Sequence, residues 1–310
     1  MYLVRLLRRH NTAWSWTTRA ANLAAHSTLS PANETSGGPA YDPSKSTSST
    51  LVKGDAYTNS YGSGHTGSGV VYNDTVSIGN LKLKMAFEVA TSNNGQNNAA
   101  SDFSGDFGMA FAAGGMSSQG PTPVLTFLKA AQAKLDGYLF TVDYNKTTQR
   151  GDVDFGFIDS TKYTGKIGYL PINANYYWGV NFTGYAIGTG ALHDRIGTSV
   201  VDTGTASTHD PPDVVEAWCS QVTGSTYNTD AFTCRYPCST ILPNFVFGVN
   251  DHRAVIPAAY LKGLPVSSAG NCQSPSQGQD SNSMIFGQSF IQAQLMMFDH
   301  ANGRVGFANK

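Results

Sequence analysis

Charge is what this sequence has least of. Asp, Glu, Lys and Arg make up only 13% of the 310 residues, and their signs nearly cancel to a formal net charge of −1. With no excess of either sign, nothing argues for nucleic acid or an anionic membrane as a partner. Long apolar runs are missing too: none approaches the ~20 residues that a membrane-spanning helix requires. "MYLVRLLRRHN" starts as a signal or transit peptide would, but its apolar part is short and broken by arginine. Cysteine is sparse, at four: Cys219, Cys234, Cys238 and Cys272. Cys234 and Cys238 have no nearby second pair at ligand spacing, which disfavours zinc, and no metal or organic cofactor is expected. Disulfides are the plainer use, and they imply an oxidising compartment. Four Asn-x-Ser/Thr sequons, at Asn33, Asn73, Asn145 and Asn181, agree weakly with secretion.

What the chain has instead is glycine (33) and tyrosine plus phenylalanine (31). Together with the scarcity of Lys, Glu and Arg this points to β-structure with many turns. The charge balance is also uneven along the chain. Residues 1–21 hold Arg5, Arg8, Arg9 and Arg19 and no acid, and without them the remainder has 16 basic against 21 acidic residues. The opening segment is compositionally foreign to the body.

"VVYNDTVSIGNLKLKMAFEVA" (70–90) carries β-branched and aromatic runs around Gly79-Asn80, a hairpin signal. Two short helices are expected, at about Val124–Leu135 after Pro121 and Pro123, and at 211–222, where proline precedes Val214, Val215, Trp218 and Val222 on one face. The rest reads as short strands and tight turns, an all-β pattern with a few short helices.

The two halves resemble each other. "SGDFGMAFA" (104–112) and "SMIFGQSFI" (283–291) each set an aromatic-Gly pair before a further apolar stretch. In the second half that pair follows "VVDTGTA" (200–206), with Gly287 lying 85 residues after Asp202. If the plan repeats, the matching Asp-Thr-Gly belongs near residues 17–23. A lone Asp-Thr-Gly is weak evidence, since an aspartate at a turn is more often structural. "YGSGHTGSG" (61–69) sets a tyrosine on a glycine-rich hairpin, which suits a mobile flap, though an ordinary hairpin would look the same.

Taken together, "YDPSKSTSS", "FGFIDSTKYTGKIGYLPI", "YYWGVNFTGYAIG", "VVDTGT", "ILPNFVFGV", "VIPAAYL" and "IFGQSFIQAQLMMFDHANGRVGFA" resemble, in order, the strings of the pepsin-like aspartic proteases. The nearest type is that of the secreted fungal penicillopepsins and aspergillopepsins, and the resemblance covers about residues 27–310. It implies an all-β, bilobal fold in which each lobe gives one aspartate to a pair that activates water for peptide hydrolysis at acid pH. It also implies polypeptide substrates, secretion from a precursor whose signal and propeptide are not in this chain, and a monomer. The lobes are expected at 27–165, with the flap, and at 166–310, with the Asp-Thr-Gly motif, after an aberrant segment 1–26.

Carried over position by position, Asp202 resembles the second-lobe catalytic aspartate. Thr203 resembles the threonine that reaches across to the other lobe, Gly204 the tight turn, and Thr205 a further support. Tyr61 and Gly62 resemble the flap, with Ser63 where Asp or Thr is usual, and Phe111 resembles an apolar pocket wall. Cys238 and Cys272 match the family's disulfide, while Cys219 and Cys234 are extra, either a second bridge or free thiols.

The departures concentrate at one place. Where the family's first-lobe string resembles D-T-G-S-A-N-L-W-V-x-S, this chain reads T-T-R-A-A-N-L-A-A-H-S. Thr17 stands at the aspartate, Arg19 at a turn glycine and Ala24 at a tryptophan, and the strands that normally precede the motif are absent from the pattern. Asp106 and "STHD" (207–210) fall where the family is mostly apolar. Two explanations compete. In one, residues 1–21 are read in the wrong frame, since the codons for Trp16–Ala21 permit D-D-T-G-S in the neighbouring frame. In the other, the chain is a pseudoprotease that binds peptide or protein without cleaving it. Both predict little or no activity for the chain as it stands, because Thr17 cannot ionise. A retroviral-type half-protease pairing around Asp202 is a third reading, disfavoured by the length and by the intact first-half strings.

Overall fold

A computed structural model describes residues 2–5, 13–34, 38–60, 64, 66–94, 103–111, 118–120, 124–147, 150–174, 176–266, 270–278 and 283–310. The chain divides into two compact units, one of residues 1–138 with 175–177 and one of residues 139–174 with 178–310. Strands dominate both units and helices are few and short, which gives the all-β architecture expected from the glycine- and aromatic-rich composition.

The first unit is organised on one sheet. Its strands lie in the order Ala13–Thr17, Phe103–Gly108, Leu23–Ala25, Leu81–Asn94, Thr66–Ile78, Thr50–Ser60 and Ser118–Gln119. The hairpin at Gly79-Asn80 forms as the sequence predicts, with Ile78 opposite Leu81 and Gly79 at φ +55°, a conformation glycine adopts without a Cβ penalty. Along the returning strand Leu81, Leu83, Met85, Phe87 and Val89 are buried while Lys82 and Lys84 are exposed, the period-two alternation of a half-buried strand. The helix Phe127–Ala131 packs against this strand and continues as a 3₁₀ turn over Gln132–Lys134. It begins three residues later than the sequence pattern suggests because Thr126 caps it, its hydroxyl accepting from the Lys129 N–H at 3.2 Å.

The missing leading strands are a point of difference. Ala13–Thr17 is a strand, parallel to Phe103–Gly108, so that edge of the sheet is occupied. The reason is aromatic alternation in "AWSWT". Trp16 stacks on Phe107 at 4.2 Å and Trp14 meets the same ring edge-on at 6.3 Å.

The second unit contains three groups of strands. Arg150–Phe155, Leu139–Asn145, Gln294–Asp299, Arg304–Asn309 and Gly168–Pro171 pair antiparallel in that order. A second sheet runs Gly179–Phe182, Gly197–Val201, Ser283–Phe286, Thr208–Asp210, Asn271–Gly278, Thr233–Pro237 and Thr226–Asn228. Tyr185–Ile187, Phe245–Val249 and His252–Ile256 form a third. The expected second helix is Pro212–Ser220, starting on Pro212 and burying Val214, Val215, Trp218 and Cys219. Cys219 is bonded to Cys234, which fastens this helix to the strand Thr233–Pro237, and Cys238 is bonded to Cys272. The core is aromatic: Phe140 stacks on Phe298, and Phe286 on Phe290 at 4.3 Å beside Phe247. Among the described residues no helix is long and apolar enough to cross a membrane.

Candidate active site

Asp202 sits at the end of a strand whose neighbour fixes its height. Val200 and Val201 pair in parallel with Ile285 and Phe286, and the Asp202 N–H continues the ladder to the Phe286 carbonyl at 3.1 Å. The chain then turns over the end of Ser283–Phe286 and returns on its other side as Thr208–Asp210, with His209 opposite Ile285. The carboxylate is buried and oriented from within the turn. Oδ1 accepts from the Gly204 N–H at 2.9 Å and Oδ2 from the Thr205 hydroxyl at 2.7 Å. The turn is pinned from beyond Gly287: the Gln288 N–H reaches the Thr205 carbonyl at 2.7 Å, and its side-chain amide reaches the Thr203 carbonyl at 3.0 Å. A Cβ on Gly287 would lie 2.0 Å from the Ser207 carbonyl oxygen, so only glycine lets the turn pack this closely.

The first unit repeats this device around Thr17. Trp16 and Thr17 pair in parallel with Phe107 and Gly108, the chain turns over residues 18–22, and Leu23–Ala25 returns antiparallel on the other side of the same strand. The Thr17 hydroxyl accepts from the Arg19 N–H at 3.2 Å, the same i+2 amide that Asp202 uses. A Cβ on Gly108 would lie 2.4 Å from the Asn22 carbonyl oxygen, five residues after Thr17 as Ser207 is five after Asp202. Thr17 therefore occupies, within its own unit, the place Asp202 occupies in the other. Arg19, at the turn glycine's place, fits without strain: its side chain is exposed, and neither it nor Gly204 takes a positive φ.

Sequence reasoning missed the polar buttress under the Thr17 turn. Asn22 donates to the fully buried Glu88 at 2.8 Å, and the strand position of Glu88 is fixed by pairing with Ala24. Its only sequence signal is a lone acid in the apolar run "AFEVA". Burial raises the Tyr57 hydroxyl well above the usual tyrosine range, with Glu88 and Asp106 adding to the shift. Phe111 is half-buried, just beyond Gly108, while Ala24 is buried in the sheet. Tyr61, Gly62 and Ser63 lie outside the described residues, although Ser60 and Thr66 on either side of them pair. Among the described residues no three of His, Cys, Asp and Glu gather to hold a metal.

A family model described as eukaryotic aspartyl protease matches residues 18–310. Endothiapepsin of Cryphonectria parasitica is 36% identical over 94% of this chain and 70% of its own length. Podosporapepsin of Podospora anserina and penicillopepsin-3 of Penicillium janthinellum are each 34% identical over 94% of this chain, covering 69% and 73% of their own lengths.

Proposed function

This chain belongs to the eukaryotic aspartyl protease family, and from that premise we propose that it carries one half of a peptide-hydrolysing carboxyl pair. Asp202 is that half, and Thr17 stands in the place of the other. The observation that supports this reading is the likeness of the two turns, each at a strand end, each beside a glycine, each ordered by the amide two residues on.

The chemistry explains why one carboxyl is not enough. Two carboxyls at hydrogen-bond distance share a proton and titrate as a pair, an arrangement for which aspartic proteases are the standard example. The ionised member takes a proton from the attacking water, and the protonated member polarises the scissile carbonyl. Asp202, with its plane fixed by Gly204 and Thr205, suits either task. A threonine hydroxyl at position 17 neither ionises nor gives up its proton at acid pH. General acid–base assistance is worth roughly 10²–10⁴-fold, so the chain as it stands turns over little or no substrate.

The substrate class is polypeptide with bulky apolar residues flanking the bond. Phe111 serves as an apolar wall, Tyr61, Gly62 and Ser63 as the flap, and Thr203 as a support. The chain acts as a monomer outside the cell, a setting its two disulfides suit. Restoring the acid tests the reading: Thr17→Asp with Arg19→Gly brings peptide hydrolysis near pH 3–4 up by at least about 100-fold, and a further Asp202→Asn removes it. A restored pair that stays inert sinks the proposal. If residues 1–21 come from a shifted frame, the gene carries D-T-G-S codons in the neighbouring frame. The second reading, a binder on the same fold, is favoured by the Thr17 turn keeping its ordered form without its carboxylate. It predicts saturable peptide binding by calorimetry with no cleavage product.

A further inference from the structure

The strand that brings the chain back from the Asp202 turn ends in a second carboxyl, Asp210, which the chemistry above does not use. Asp210 has no exposed surface, and it lies opposite Gly278 on the neighbouring strand. One oxygen, Oδ2, accepts from the Ser276 hydroxyl, whereas Oδ1 is buried with no hydrogen-bond partner among the described residues. The same buried side of the return strand holds Thr208, whose N–H donates to the Ser289 hydroxyl at 2.7 Å. Asp210 thus belongs to a polar seam of Thr208, Ser289 and Ser276 between the return strand and its neighbours.

Among the described residues few charges face it. Of those residues Arg195 is the cation that acts on it, but it is held by both oxygens of Asp213 at 3.0 Å each, on the helix that follows. Asp213 and Glu216 are the acids of that helix. His209, on the strand itself, points to the opposite face and is engaged by the Ser207 hydroxyl at 3.1 Å. Among the described residues, Asn271–Gly278 brings Gln273, Ser274, Ser276 and Gln277, Ser283–Phe286 brings no ionisable group, and Gln288–Ile291 brings Gln288 and Ser289. A full negative charge with one bare oxygen is costly in such a place, far more than a neutral carboxylic acid.

We propose that Asp210 is kept as the neutral acid and acts as a positioning residue, holding the return strand so that the Asp202 turn is ordered at acid pH and loosens when Asp210 ionises. Burial pushes the carboxyl up to about 7 against the opposing help of Ser276 and Arg195, which agrees with this geometry. The sign follows. A carboxyl whose folded value is raised stabilises the fold fully below its ordinary value near 3.8, and the benefit is lost as pH rises through about 7. The inference rests on the reading of Asp202 as a catalytic group only for its functional meaning; the structural claim stands apart from it.

Hydrogen exchange tests it without any need for turnover. In the unmodified chain, protection of the Gly204 and Gln288 amides, corrected for intrinsic rates, falls at least about tenfold between pH 4 and pH 8. In Asp210→Asn, which keeps the shape without the charge, that fall is absent. An identical fall in both proteins overturns the proposal. Should Asp210→Asn not fold, carboxyl-carbon NMR on the unmodified chain decides: Asp210 titrating near pH 4 contradicts the proposal, and titration several units higher supports it. Failure of the restored Thr17→Asp protein to cleave peptide would count against the catalytic reading and leave these outcomes intact.

Discussion

Thr17 and Asp202 differ in the atoms they offer and share nearly everything that holds them. Each ends a strand beside a glycine, and each accepts from the amide two residues on. The glycines carry a prediction of their own. A methyl at Gly108 or Gly287 meets a backbone carbonyl at 2.4 or 2.0 Å. Gly108→Ala and Gly287→Ala should therefore each cost about 1–3 kcal/mol in thermal unfolding, with the loss arising at the turn. Asp74 gives the first unit a pH dependence of the opposite sign to that of Asp210. Burial pushes its carboxyl up, but hydrogen bonds from Ser48, Ser46, the Thr75 N–H and Tyr41 outweigh this and bring it down to about 2. A carboxyl lowered in the fold stabilises above its ordinary value of 3.8 and loses that effect as pH falls through about 2. Asp74→Asn should cost about 1–2 kcal/mol at pH 5, with the gap to the unmodified chain closing near pH 2. Of these residues, Asp202 stands out in the sequence because "VVDTGT" marks it, and Thr17 follows by counting back from Asn22-Leu23. Asp210 shows there only as part of "STHD", an oddity with no role attached, Glu88 only as a lone acid in an apolar run, and Asp74 not at all, because their importance lies in what surrounds them after folding.

At the scale of elements, the hairpin at Gly79-Asn80 and the helix Pro212–Ser220 were legible because each has a local cause, a turn dipeptide in one and proline before an apolar stripe in the other. The strand Ala13–Thr17 was not, although "AWSWT" alternates. Its stability comes from Phe107, 91 residues away, on which Trp16 stacks. The pairing of Cys219 with Cys234 was likewise open in the sequence and is decided by the helix lying against Thr233–Pro237. That bridge closes a 15-residue separation from the last turn of the helix to the strand Thr233–Pro237, and the helix itself follows the Asp210 strand. Replacing both cysteines by alanine should lower stability by about 2–4 kcal/mol, measured by denaturant unfolding. A loss limited to a few tenths would show that the helix is held by Val214, Val215 and Trp218 alone.

For the whole molecule, the internal repeat was the most informative thing in the sequence, since it located the first turn before any contact was known. The division of the chain at Leu139 left no such mark. Leu139–Asn145 joins the second unit by pairing with Gln294–Asp299, a partner about 150 residues further on. Membership of the aspartyl protease family brings an expectation of catalysis, which the proposed reading of Thr17 withdraws. In the reading proposed for the active site, Asp202 is the single catalytic carboxyl of the chain. The most direct measurement is hydrolysis of an unfolded protein near pH 3.5 by the unmodified chain and by Asp202→Asn. The account predicts that both stay at background. Turnover by the unmodified chain that disappears in Asp202→Asn would contradict it.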